Sequence, residues 1–280
     1  MEHKDKTILV AWDFSGVADY AMQHAIRFAK VIGSRVSLLH IVEREREIEE
    51  AERRLEIVIE DAERKYDFKP EAIVKEGSIF TTITDVANSL EAVFVFMGTH
   101  GIKGVQKLTG SWALKVIEGS KMPFIVVQRP PKDEHFENIM FPIDYKKEDK
   151  QKVVWAIYLN KYFKSKIYLY VQKATDPALK KNIYSNLVYA KSVLEKNKIE
   201  YVQVDDEGKK DFSENVVDYA DSINANAILI TTLRKLEITD YMFGATEQKI
   251  IANKKMISVI TVFPKEGKYA GFSSFHNQLL

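Results

Sequence analysis

The stretch Ala92-Val93-Phe94-Val95-Phe96-Met97-Gly98-Thr99-His100-Gly101-Ile102-Lys103-Gly104, followed by Gly110-Ser111, decides how the rest of the chain is read. Its first five residues are unbroken apolar, as a strand buried on both faces requires. Beyond the glycines, Ala113, Val116 and Ile117 recur at helical spacing, and Phe124-Ile125-Val126-Val127 is a second buried run. The glycines therefore fall on a strand-to-helix crossing in a parallel sheet. Glycine at such a crossing permits positive φ and lets the backbone approach a ligand closely. A helix entered at Ser111 offers free N–H groups and a positive dipole end, a seat for phosphate. The competing reading is that these glycines only turn corners; four of them with a helix-opening serine favour phosphate binding.

Upstream, the same alternation repeats. Thr7 to Ala11 reads as a strand ending at Trp12-Asp13-Phe14-Ser15, and Ser15 is placed to cap a helix whose inner face is Ala18, Ala21, Met22, Ala25, Ile26 and Ala29. Gly33 ends that helix and Val36 to Val42 forms the second strand. Glu43 to Tyr66 is charge-dense, yet Ile48, Ala51, Leu55, Val58, Ile59 and Ala62 keep an apolar stripe, so the charges form the solvated face of a long helix. Ala72 to Val74 is a short strand, Ile79 to Leu90 a helix, and Val93 to Phe96 and Phe124 to Val127 the fourth and fifth strands. Strand and helix alternating in this way predict an open parallel α/β sheet. Ligands in such sheets sit at the carboxyl ends of strands, where the Trp12-Asp13 pair and the Gly98 loop converge. A carboxylate there suits a ribose hydroxyl or an adenine amino group; Asp13 as a helix cap or turn former is the alternative.

Composition narrows the function classes. The chain has 280 residues with 41 basic and 40 acidic side chains, so nothing electrostatic points to nucleic acid or an anionic membrane as partner. With no cysteine, disulfides, thiolate catalysis and cysteine-bound zinc are excluded. No apolar run approaches the roughly 20 residues of a membrane helix, and the charged start Met1 to Lys6 predicts no signal peptide. The expectation is a cytoplasmic protein. The 6 histidines show no metal spacing; His40 reads as a core or sheet-end residue, and His100 lies in the loop within reach of phosphate. No Gly-x-Ser-x-Gly nucleophile turn occurs. Lys103 and Lys107 either add charge near phosphates or are solvated loop lysines. The tail 265–280 has no helical or strand period.

The second half repeats the first. Ile139 to Asp144 matches Ile8 to Asp13 at an offset of 131 (Asp144 against Asp13), and Gly244 onward matches Gly110 onward at an offset of 134 (Gly244 against Gly110). At the latter offset Ala227 to Thr231 aligns with Val93 to Met97, Gly98 and Gly101 meet Thr232 and Lys235, and Ser111 meets Ala245. Residues 129–137, with Pro130-Pro131, form the linker. The expected organisation is a domain over 1–129, a second over 138–264 and a tail over 265–280. The second copy keeps strands and helix entry without the glycines, which points to a ligand role for them in the first; the alternative is that the two loops took different shapes.

The Asp13 strand end, Gly98-x2-Gly101, Gly110-Ser111 and Met122-Pro123-Phe124-Ile125-Val126-Val127 together resemble the universal stress protein family, here as a tandem. The resemblance implies two Rossmann-like (adenine nucleotide alpha hydrolase-like) domains, each an open five-stranded parallel sheet flanked by helices, with pairing through the last strand as a homodimer or within the chain. It implies ATP, with Mg2+, as the ligand. Transferred to matching positions, Ala11, Trp12 and Asp13 lie at the nucleoside, the Val42 backbone at the adenine, and Gly98, Gly101, Gly110 and Ser111 at the phosphates, with the Met97 and His100 backbones lining the loop. Asp144 then belongs to a degenerate site. The spacing departs from the family's: eight residues separate Gly101 from Gly110, one fewer than the motif, and Ala11 and Trp12 replace a proline and a smaller residue. The implied role is a stress-response binding and regulatory module without a catalytic residue, at most a slow ATPase. The alternative is a nucleotide-independent dimerising scaffold of the same fold.

Overall fold

The structure, a computed structural model, describes residues 6–100, 116, 122–132, 136–231 and 245–262. Gly101, Gly104, Gly110, Ser111 and the tail 265–280 lie outside the described residues. The chain divides into two compact units, Met1–Glu134 and His135–Leu280, each an α/β arrangement of parallel strands and helices.

In the first unit the elements are β1 (Thr7–Trp12), α1 (Gly16–Ile32), β2 (Arg35–Val42), a 3-10 turn (Glu45–Glu47), α2 (Ile48–Tyr66), β3 (Glu71–Glu76), α3 (Ile79–Ser89), β4 (Phe94–Gly98) and β5 (Phe124–Val127). The strand order within this unit is β3-β2-β1-β4-β5, and β1 pairs in parallel with both β2 and β4. Right-handed crossovers then place α1 and α2 on one face and α3 on the other. The core lies between sheet and helices: Phe28 of α1 packs edge-to-face on Phe94 and Phe96 of β4, with centroids 5.7 and 5.2 Å away. The charge-dense α2 is held by its buried stripe of Ala51, Leu55, Ile59 and Ala62. Its ion pairs Arg53–Glu50 and Arg64–Asp61 are solvent-exposed and contribute little to stability.

The second unit runs β6 (Asn138–Ile143), a 3-10 segment (Lys147–Lys152), α4 (Val153–Phe163), β7 (Lys166–Val171), α5 (Pro177–Lys196), β8 (Tyr201–Asp205), α6 (Phe212–Ser222), β9 (Ala227–Thr231), α7 (Ala245–Ile251) and β10 (Ser258–Val262). Its order is β10-β9-β6-β7-β8. The strand after the linker therefore occupies the place within its unit that β1 occupies in the first.

Strand pairing corrects the alignment of the two halves. Thr7 faces Arg35 on β2 and Asn138 faces Lys166 on β7, which keeps the offset of 131. Ile8, however, faces Phe94, whereas its counterpart Ile139 faces Ala227. Phe94 to Gly98 thus answers to Ala227 to Thr231, and Gly98 corresponds to Thr231 rather than Thr232. A single offset read along the sequence misses this because pairing register, which no local pattern encodes, decides which residues share a level of the sheet.

Candidate functional site

The carboxyl edge of the first unit's sheet is built by β1, β2 and β4. Ala11 pairs with Leu39 and Met97, and Trp12 pairs with His40. Side chains alternate across a strand, so Ala11 and Met97 share one face while Trp12 and His40 share the other. Gly98, one residue beyond Met97, also belongs to the second face. A Cβ on Gly98 would run into the Val17 carbonyl and lie 2.9 Å from Ala18 N, in the first turn of α1. That helix packs directly on backbone, which only glycine allows. Gly98 has no left-handed φ; of the two reasons for glycine read from the sequence, positive φ and close backbone approach, the second applies, and the approach is to α1. The indole of Trp12 is 7% exposed on the α1 face, so what this residue presents at the edge is backbone.

Asp13 is exposed just past β1. Its Oδ1 accepts from the Ser15 amide at 3.0 Å and from the Ser15 hydroxyl. Ser15 in turn caps α1, its Oγ accepting from Ala18 N at 3.3 Å. The turn-forming role weighed for Asp13 is present, and its Oδ2 has no partner among the described residues. Val42 ends β2 with its carbonyl accepting from Gly77 N at 3.1 Å, which leaves a second lone pair on that oxygen. Gly77 holds a left-handed φ of 152°, and a Cβ there would meet the Thr82 hydroxyl. Thr99 is buried, its amide donating to Val127 O at 2.9 Å, while His100 is exposed. Asp13, Val42 and Met97–His100 therefore lie along one edge, although up to 87 residues separate them in sequence.

Sequence reasoning missed an aromatic and cationic cluster beside Asp13. Phe14 has a φ of 61°, rare for a bulky side chain. Its ring packs edge-on to His40 at 4.7 Å and to Trp12 at 6.1 Å. The Arg54 guanidinium of α2 covers it at 3.8 Å. His40 Nδ1 lies 2.8 Å from the Trp12 carbonyl, an acceptor, so Nδ1 carries the proton. The Asp13-Phe14-Ser15 turn was the one signal, and it decides no contact without the fold; Arg54 has Glu50 four residues before it, so its sequence neighbours point to an ion pair instead.

At the corresponding edge of the second unit, charged side chains pair with one another. Lys146 Nζ lies 3.4 Å from Asp144 Oδ2 and bonds Glu247 Oε1, with all three side chains largely buried. Burial alone would lower the Lys146 pKa, but the Asp144 and Glu247 carboxylates outweigh it and hold the ammonium above its usual range. Asn186 of α5, itself buried, donates to the carbonyls of Asp144 at 2.8 Å and Lys146 at 2.7 Å. Among the described residues, no group of three or more His, Asp or Glu side chains is arranged to hold a metal ion. No described helix is long and apolar enough to cross a membrane.

Residues 5–128 match the model of the Universal stress protein family. No curated protein matches the chain. Among solved structures, a universal stress protein from Archaeoglobus fulgidus DSM 4304 has a TM-score of 0.73 at 16% identity, over 95% of this chain and 98% of that one. A functionally unknown protein from Pseudomonas aeruginosa PAO1 has a TM-score of 0.62 at 12% identity, over 92% of each chain. These two likenesses are likenesses of fold. Over residues 5–128 the chain is similar in sequence to the Universal stress protein family, and over nearly its whole length its fold is similar to that of a solved universal stress protein.

Proposed function

We propose that the chain is a cytoplasmic tandem of universal stress protein domains, residues 1–129 and 138–264, acting as a regulatory module that binds ATP in the first. The observation that carries this reading is the edge formed by Asp13, Val42 and Met97-Gly98, which offers a carboxylate oxygen without a partner among the described residues beside a backbone carbonyl with a spare lone pair. That donor set fits a nucleoside: Asp13 Oδ2 accepts from ribose hydroxyls, and the Val42 carbonyl accepts from the adenine amino group. Ala11, on the Met97 face, is small enough to leave room beside the base, and the Trp12 and His100 backbones complete the lining. Gly98, Gly101, Gly110 and Ser111 hold the phosphates, with Mg2+ bound through them. ATP biases a conformation or a partner contact, with domains pairing within the chain or as a homodimer. No residue described here is set to activate water, so hydrolysis is at most slow.

The second unit supports one site per chain, since a Lys146–Glu247 ion pair occupies the equivalent edge. The scaffold reading draws on Gly98, whose packing against α1 needs no ligand. Equilibrium titration with labelled ATP separates the two. Binding of one ATP per chain, strengthened by magnesium and lost in Gly101→Trp, supports the nucleotide reading; no binding to the wild-type protein supports the scaffold.

A further inference from the structure

We propose that Arg54 is a positioning residue, whose guanidinium clamps Phe14 against His40 and thereby holds Asp13 in its ligand-facing position. This rests on the nucleotide reading of the same edge and extends it to a helix, α2, that carries none of the residues assigned above.

Other cations of α2 pair along their own helix. Arg53 pairs with Glu50, and Arg64 and Lys65 pair with Asp61, each within about one turn of the same helix. Arg54 makes no ion pair among the described residues. The carboxylate four residues before it, Glu50, is bonded by Arg53, and the positions three and four after it are Ile57 and Val58. Its guanidinium instead lies 3.8 Å from the centroid of Phe14, an aromatic residue on a different element. A planar guanidinium stacks on a ring face while its edge N–H groups stay solvated, so the contact costs little desolvation.

Phe14 needs holding. At a φ of 61° it occupies a region that glycine or asparagine enters readily and an aromatic residue rarely does. Such a conformation persists only where the surroundings over-determine it. Here β1 contributes Trp12, β2 contributes His40 and α2 contributes Arg54, so three elements meet on one ring. The consequence falls on the neighbouring residues: the left-handed step at Phe14 turns the chain so that the Ser15 amide and hydroxyl both reach Asp13 Oδ1. With Oδ1 held, Oδ2 is the oxygen left to the ligand. A glycine at position 14 would make the same turn unstrained, but without a ring it would not couple α2 to Asp13. Phe14 and His40 are half-buried and Arg54 is exposed, so the cluster adds little to the core.

The test measures amide exchange and ATP affinity on the same full-length proteins: wild type, Arg54→Gln and Arg54→Lys. Exposed cation–π contacts predict that Arg54→Gln raises exchange at the Ser15 amide about two- to fivefold, with the amides of β4 unchanged. The same variant should weaken ATP binding by a similar factor without lowering the melting temperature, and Arg54→Lys should restore part of both. Unchanged Ser15 exchange in Arg54→Gln overturns the clamp. Faster exchange with undiminished ATP affinity overturns its role toward the ligand. A wild-type protein that binds no ATP overturns the nucleotide reading, and the exchange result still decides separately whether the clamp exists.

Discussion

Gly98 at the end of β4 lies directly beneath Val17 in the first turn of α1, so close that a Cβ would collide with the Val17 carbonyl. Thr231, its counterpart by strand pairing, carries the side chain that Gly98 lacks. In the second unit the chain after β6 forms the 3-10 segment Lys147–Lys152 before α4 begins at Val153, where the first unit starts α1 at Gly16. A close α-helical turn and a β-carbon cannot occupy the same space, and each unit has resolved that conflict differently.

Gly98→Ala should therefore destabilise the protein by about 1–3 kcal/mol, the usual range for forcing atoms into a packed contact. The Thr231 hydroxyl is buried with no partner among the described residues. Thr231→Ala should consequently stay within about 1 kcal/mol of wild type, because it removes an unsatisfied hydroxyl together with one methyl group of packing. Denaturant midpoints at constant m-value measure both.

The Lys146–Glu247 pair should behave as a buried ion pair does. Glu247→Ala leaves the ammonium with Asp144 alone and should cost about 2–4 kcal/mol, whereas Lys146→Met combined with Glu247→Leu, which leaves Asp144 without its cation, should recover only part of that loss. A double-mutant cycle on chemical unfolding checks this. Equal losses in the single and double variants would show that the site cannot repack.

Stability should fall with acid through His24. This side chain is buried in α1 with Nε2 3.2 Å from the Arg129 carbonyl; burial pushes its pKa down from 6.5 to about 4. The folded state therefore binds fewer protons than the unfolded chain between those values. The His24 contribution is complete above about pH 6.5 and is lost progressively as pH falls towards 4. At 1.36 kcal/mol per unit the loss is on the order of 3 kcal/mol. The difference in unfolding free energy between wild type and His24→Gln, followed from pH 7 to 4, should narrow by that amount.

Gly77→Ala should cost about 1–3 kcal/mol, because alanine must adopt a left-handed φ and its Cβ must displace the Thr82 hydroxyl. The Val42 carbonyl loses its amide partner if the turn moves, so exchange at the Gly77 amide should rise together with the loss of stability.

The amino-acid sequence alone was enough for the alternation of strands and helices, the apolar stripe of α2, the capping serine at position 15 and the repeat of β1 in β6. Each of these depends on residues within one or two turns, or on a periodicity of two or 3.6 that survives in any surroundings. It also marked Asp13, Val42 and Gly98 as a set. Tertiary structure alone decided that Gly98 answers to Thr231, that the Trp12 indole turns to the α1 face, and that Phe14 takes a left-handed φ under Arg54. Those facts follow from the register of parallel strands and from which helix packs over which backbone. Both are set by contacts between residues far apart in the chain, and neither leaves a local mark in its order of amino acids.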